Sequence, residues 1–290
     1  MKGPLAVAEI GGTSVRIGFA DGGAPLRFAR TSPTGAIRTA DPAGDLAGLI
    51  GAAAAEAGIA PARVVATVPG FLDHDRDTVL HAANVPELAG VRLASRLSAA
   101  LGLPVTLERD VALQLLGESV AGAVAGEREV LAVYLGTGIG AAYLGAHGLF
   151  RGGGWALELG HLPVAPPGAD GEAPARVEDE ASGAALAALA AVHAVPVAGI
   201  FEATAAPVRA ALDAALSRQA FAVAAATVLF SPRIILIGGG VPAMAGYPRD
   251  MLADRLRRAL PEPYRRRPPE VRWASLGWRA AIHGALLVAP

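Results

Sequence analysis

Cysteine is absent from the 290 residues. Disulfides, thiolate catalysis and cysteine-bound zinc are excluded with it. Aromatic residues make up only 5% and charged residues 18%, against 53% hydrophobic, a balance that supports well-buried cores in a chain long enough for two domains of ordinary size. No run of about eighteen apolar residues escapes interruption by charge, Pro or Gly. The opening "MKGPLAVAEIGG" reads as a β-strand where a signal peptide would need a longer apolar region and a cleavage site. The expectation is a cytoplasmic globular protein with no membrane partner. A net charge of −1 gives no global field that favours nucleic acid. The locally basic "RLRRALPEPYRRRPPEVR" has sparse aromatics and reads as a solvated helix end and loop. Lysine is scarce while Ala, Gly, Pro and Arg abound, so a single glycine carries little weight.

Local patterning alternates strands and helices. Residues 4 to 10 read as a buried strand, "GGT" as a turn and "VRIGFA" as the returning strand. Helices are expected over 45 to 57, closed by Gly58, over "LASRLSAALG" with Gly102 after it, and over "VALQLLGESVAGAVAG". Strands are expected at "RVVATVPG" and "PVTLERD". The second half opens on "EVLAVYLGTGIGAAYLG", again strand, glycine turn and strand, which suggests two structurally related halves. A Pro/Gly loop over 165 to 175 follows, then helices at 181 to 194 and 207 to 230, the buried strand "RIILIGGGV" and a short final helix in "WRAAIHGALLVA".

Three glycine turns each follow an apolar strand: Gly11-Gly12-Thr13, Gly136-Thr137-Gly138 with Gly140, and Gly238-Gly239-Gly240. Glycine serves where backbone amides must approach a ligand with no Cβ in the way. Any one of these turns is equally plain hairpin chemistry; their conjunction points to phosphate. Neither a Walker A loop nor the dinucleotide fingerprint is present, since these turns lead into strands.

"EIGGTSVRIG", "YLGTGIG" and "ILIGGGV" resemble, in order, the phosphate-1, phosphate-2 and adenosine segments of the sugar kinase/actin/Hsp70 superfamily. Within it the chain resembles the ROK group of bacterial sugar kinases. It is most similar to the D-allose kinases through "RDVALQLLGE", "LAVYLGTGIG", "ELGHLPV" and "GGGVPAMAGYPRDML". The resemblance implies an α/β, two-domain actin-like ATPase (ribonuclease H-like) fold with a cleft between domains. We expect an N-terminal domain over 1–108, joined by a returning helix at about 276–290, a larger domain over 109–275, and a hinge near 105 to 125. ATP, magnesium and a hexose are the implied ligands, and a homodimer the implied assembly. Repressors of the group carry an added DNA-binding segment ahead of the kinase strands; here residue 5 already starts the first strand, which favours a kinase.

Asp110, where a strand gives way to a helix, is the candidate base. Spacing alone equally makes it a helix cap; the resemblance makes it the group that draws the proton from the sugar. The resemblance further assigns sugar contacts to Gly70, Asn84, Arg109, Glu158, His161 and Glu178, and nucleotide contacts to Glu9, Gly11, Gly12, Thr13, Gly136, Thr137, Gly138, Gly239 and Gly240. Most of the group has Asn where this chain has Arg109; a donor-only guanidinium in place of a donor-acceptor amide argues for D-allose or a related hexose. Two further departures stand out. The loop after His161 lacks the three cysteines that bind a structural zinc in many relatives, so no zinc is expected. Glu9 replaces an Asp that helps hold magnesium, keeping the charge but adding a methylene. A catalytically degenerate sugar binder and a glucose or N-acylhexosamine kinase are the alternatives.

Overall fold

The computed structural model describes residues 3–21, 24–165 and 173–288. They gather into two compact units: Met1–Gly126 with Arg151–Ala156 and Leu276–Pro290, and Glu127–Phe150 with Leu157–Ser275. The first unit runs β1 (Leu5–Ile10), β2 (Ser14–Asp21), β3 (Ala24–Pro33), α1 (Pro42–Ala57), β4 (Arg63–Val68), the short β5 (Phe71–Leu72) and β6 (Val79–His81), α2 (Leu93–Leu101), β7 (Val105–Arg109) and α3 (Asp110–Ala121). The second holds β8 (Val130–Leu135), β9 (Ile139–Gly145), β10 (Gly148–Leu149), α4 (Val177–Ala181), α5 (Gly183–Val192), α6 (Ala206–Phe230), β11 (Ile234–Gly238), α7 (Arg249–Ala259), α8 (Glu262–Arg266) and β12 (Glu270–Trp273); α9 (Arg279–Val288) belongs to the first unit.

The suspected internal duplication appears in the sheets. The first has the order β3-β2-β1-β4-β7 and the second β10-β9-β8-β11-β12. In both, an antiparallel hairpin is followed by two parallel strands. Each glycine turn between the first two strands of a sheet therefore occupies the same topological place in its unit.

Strand periodicity explains how the first unit aims its carboxylates. Ala6, Ala8 and Ile10 join the core formed with Leu46 and Ile50 of α1 and Leu93 and Leu97 of α2. Leu5 and Val7 are buried on the opposite face, the side of α3 and α9. Side chains alternate along a strand, so Glu9 continues that second face at the end of β1. The helices on this face touch backbone to backbone: a Cβ at Gly284 would fall 2.0 Å from the Leu113 carbonyl oxygen, and one at Gly117 1.9 Å from that of Ala280. In the second unit α6 is long and apolar enough to cross a membrane, yet its Val208, Leu212, Leu216 and Val223 are buried in the core with β8 and β11.

Gly58 and Gly102 close α1 and α2 in left-handed conformation, as their positions implied. Several expectations need correction. The helix expected through 126 stops at Ala121, because the Glu118 carboxylate bends back to accept the Ala123 N–H at 2.7 Å, and it also accepts the Leu276 N–H at 2.8 Å. The helix expected over 181 to 194 is split at buried Ser182, whose Oγ accepts the Ala185 N–H and starts α5 afresh. β3 extends the N-terminal hairpin into a third strand, and the basic stretch read as helix end and loop includes β12, which pairs in parallel with β11. The expected hinge over 105 to 125 falls on β7 and α3. α3, given to the second domain by an expected boundary after residue 108, packs along α9 within the first unit. The loop expected over 165 to 175 falls mostly on residues 166–172, outside the described residues.

Candidate active site

The β1–β2 turn is fixed through its carbonyls. Thr34 Oγ1 donates to the Gly11 carbonyl at 2.7 Å and the Thr34 N–H to that of Thr13 at 3.0 Å. Arg38 donates to the Gly12 carbonyl at 3.1 Å and to the Asn84 carbonyl at 2.6 Å. An anion seat lined by amides needs this arrangement, with its oxygens turned into the fold. Thr13 is exposed at the tip, and the Asn84 side chain stands beside Gly12, where a Cβ would meet it at 3.3 Å. Gly70 is held by other partners: its N–H donates to the Val68 carbonyl, and its backbone abuts the carbonyl of His81.

Behind the turn lie two carboxylates. Glu9 is pushed above the ordinary carboxyl range by desolvation; its hydrogen bond from Arg16, 3.1 Å long, opposes the rise, and the charge of Asp110 adds to it. Asp110 opens α3 at the end of β7, as the strand-to-helix reading implied. Desolvation raises its carboxyl too, against the Val111 N–H donated to Oδ1 at 2.8 Å and the positive charge of Arg109. A carboxylate held above its usual range is a better proton acceptor than an ordinary Asp. Glu9 senses the charge of Asp110. That donor set suits magnesium, which takes one or two protein carboxylates and completes its shell with phosphate oxygens and water.

Glu108 underlies this corner and was not singled out in the sequence. It is 2% exposed. Arg76 reaches it at 2.9 Å and Arg151 at 2.7 Å, while the Arg109 N–H donates to its other oxygen at 3.0 Å. The Arg109 guanidinium in turn donates to the Ala156 carbonyl at 2.7 Å. Trp155 Nε1 donates to the Leu72 carbonyl at 2.8 Å. The residue expected to touch sugar thus also ties down the segment 151–156. The isolated sequence offered little signal for Glu108, one charged residue in a strand, VTLER, that also carries Thr106 and Arg109.

In the second unit the turn between β8 and β9 is built on the same plan. The Gly136 N–H donates to the Gly138 carbonyl at 2.9 Å, and the Gly183 and Ala184 N–H groups at the start of α5 donate to the carbonyls of Gly136 and Thr137 at 2.7 and 3.1 Å. Thr137 is exposed at the tip. Gly239 has φ +98°, and a Cβ there would fall 2.3 Å from the Leu135 carbonyl oxygen, so only glycine lets this turn lie against the end of β8. Gly240 beside it is exposed.

His161 and Glu178, far apart in sequence, are brought together: Nε2 lies 3.8 Å from Glu178 Oε1. The carboxylate also lies against the β8–β9 glycine turn, since a Cβ at Gly138 would fall 3.0 Å from Glu178 Oε2. Arg176, unnoticed in the sequence, contacts both, at 3.1 Å from His161 Nδ1 and 3.3 Å from Glu178 Oε1. The Glu158 carbonyl accepts the His161 N–H at 3.0 Å, placing that residue at the start of the same turn. Among the described residues no group of three or more His, Asp and Glu is arranged to hold a metal ion.

In sequence and fold the chain is similar to known sugar kinases. A ROK-family glucokinase from Streptomyces griseus, solved in complex with glucose and AMPPNP, matches 99% of this chain and 99% of its own with a TM-score of 0.81 and 29% identity. Among sequences, the bifunctional enzyme NanE/NanK of Brucella suis is 37% identical over 199 residues, 66% of this chain and 36% of that protein. A glucokinase of Halalkalibacterium halodurans is 35% identical over 104 residues, 34% of this chain and 30% of that protein. The matches span about a third of the length of these curated relatives. The mixed α/β sheets are those of the actin-like ATPase fold shared by the ROK sugar kinases. With the ROK family model matched over residues 7–290, the chain belongs to the ROK family.

Proposed function

We propose that this chain is an ATP-dependent hexose kinase in which Asp110 is the base. The observation that carries the reading is Asp110 itself, first residue of α3, desolvated, and near enough for its charge to act on Glu9, which leads into a turn whose carbonyls are all tied into the fold. Asp110 accepts the proton of the sugar's terminal hydroxyl as that oxygen bonds to the γ-phosphorus and the bond from phosphorus to the ADP oxygen breaks. Backbone amides of the Gly11–Thr13 and Gly136–Gly138 turns, with the Thr13 and Thr137 hydroxyls, meet the phosphate oxygens. Gly239 and Gly240 take the nucleoside side. Glu9 would be the protein carboxylate for a magnesium ion on the polyphosphate, and that ion would supply charge neutralisation there. Asn84, Arg109, Glu158, His161 and Glu178 orient the hexose. Asp110 belongs to one unit and the Gly136–Gly138 amides to the other.

The acceptor we favour is D-allose or a related hexose, because Arg109 stands where a donor-acceptor amide would suit glucose. Glucose and N-acylated hexosamines are the rival acceptors, given the glucokinase and NanE/NanK relatives. ADP release from MgATP with allose, glucose, mannose and N-acetylmannosamine decides. Turnover on allose above the rest is expected; binding of sugar without ADP release from any of them would overturn the kinase reading, and preference for an N-acetyl sugar the allose reading.

A further inference from the structure

We propose that Arg176 is a positioning residue that fixes His161 as its Nε2–H tautomer and sets Glu178 beside it, giving the sugar one donor and one acceptor of defined placement. The proposal rests on the hexose-kinase reading for its substrate, but its geometry stands without it. Asp179 holds the Arg176 guanidinium from behind: Nη2 donates to Oδ1 at 2.8 Å and Nε to Oδ2 at 3.1 Å, while the Arg176 backbone N–H donates to the same Oδ2 at 2.9 Å. The remaining terminal nitrogen, Nη1, faces two groups at once, His161 Nδ1 at 3.1 Å and Glu178 Oε1 at 3.3 Å.

An arginine has only donors to offer. Nδ1 must therefore accept, and the neutral ring carries its proton on Nε2. A proton on Nδ1 would set N–H against N–H, next to a permanent positive charge. Arg176, Glu178 and Asp179 are the charged groups at this ring on the α4 side, and the two carboxylates offset the guanidinium. Neutral imidazole has two tautomers that present opposite hydrogen-bonding faces; the fork of Arg176 selects one. The same nitrogen pins Glu178, an acceptor-only group, within 3.8 Å of the ring's donor nitrogen. A sugar hydroxyl that both accepts from Nε2–H and donates to Oε1 satisfies this pair, whereas a methylene or ether oxygen does not.

Long-range proton–nitrogen NMR of the full chain labelled at histidine reads the tautomer directly, with His161→Gln assigning its signal among the six histidines. The expected result is an unprotonated Nδ1 and a protonated Nε2 at His161 in the parent, a mixture of tautomers in Arg176→Met, and retention of the parent form in Arg176→Lys, which keeps a donor. Steady-state kinetics should show the sugar KM of Arg176→Met raised about five- to tenfold, the cost of one misplaced hydrogen bond, with the KM for ATP held and the Lys variant partly restored. An Nδ1–H tautomer in the parent, or an Arg176→Met protein with parental tautomer and sugar KM, would overturn the proposal. Should no sugar be phosphorylated, the NMR result still decides the role of Arg176, and only the kinase reading falls.

Discussion

The Glu9 carboxylate accepts a hydrogen bond from the Arg16 guanidinium at 3.1 Å, and the two residues stand directly opposite each other in the β1–β2 hairpin. The pair holds a desolvated acid in place at the mouth of the first glycine turn. In the proposed mechanism Glu9 is the protein carboxylate offered to magnesium, and Glu9→Gln is therefore expected to need more of the ion. At sub-millimolar magnesium its rate should fall by about tenfold or more, the usual scale for disturbing a metal's protein partner, and recover in part with excess ion. A magnesium titration of kcat checks this; an unchanged titration curve would remove Glu9 from the metal.

Desolvation raises both Glu9 and Asp110. A base works only unprotonated, so the acid limb of kcat/KM should lie at higher pH than the ordinary Asp value of about 3.9. The sign for stability is opposite. The folded state holds these protons more tightly than the unfolded chain, so their contribution is fully present below the unfolded pKa and lost as pH rises through the folded one. Asp110→Asn, which keeps an oxygen for the Val111 N–H, should therefore stabilise the protein at neutral pH by about 1 kcal/mol, as neutralised functional groups commonly do. Urea unfolding across pH tests it: the gain should vanish in acid, and a loss of stability at pH 7 would contradict the desolvation account.

Glu108 anchors the end of β7 just before Asp110, through the Arg109 N–H and two arginine side chains. With both Arg76 and Arg151 replaced by Met, a carboxylate only 2% exposed loses its two ion-pair partners. Breaking a buried pair is costly, here about 3 kcal/mol for the double variant and less for either single change, because one guanidinium then remains. Chemical denaturation measures this, and an additive, near-zero pair of effects would show the cluster to be loose.

The sheets and their duplication were readable from the sequence because apolar runs and glycine turns report strand ends directly. "EIGGT" and "YLGTG" do occupy equivalent hairpins. Asp110 at a strand-to-helix junction was readable for the same reason. Long-range polar geometry was not. Nothing local to Arg176 shows that it meets a histidine fifteen residues away, and Glu108 reads as an ordinary polar break in a strand until Arg76 and Arg151 fold over it. β12 escaped notice because a short edge strand of four residues, "EVRW", takes its order from pairing with β11 and not from its own pattern. Similarly, the early stop of α3 depends on a carboxylate from its own last turns reaching the Leu276 amide 158 positions along the chain.

The central claim is that Asp110 removes the sugar's proton, and Asp110→Asn tests it most directly, with MgATP and the preferred hexose at saturation. The expected result is a fall in kcat of about 10²- to 10⁴-fold, the range for a positioned general base, with sugar binding retained. A variant that turns over within twofold of the parent would contradict it.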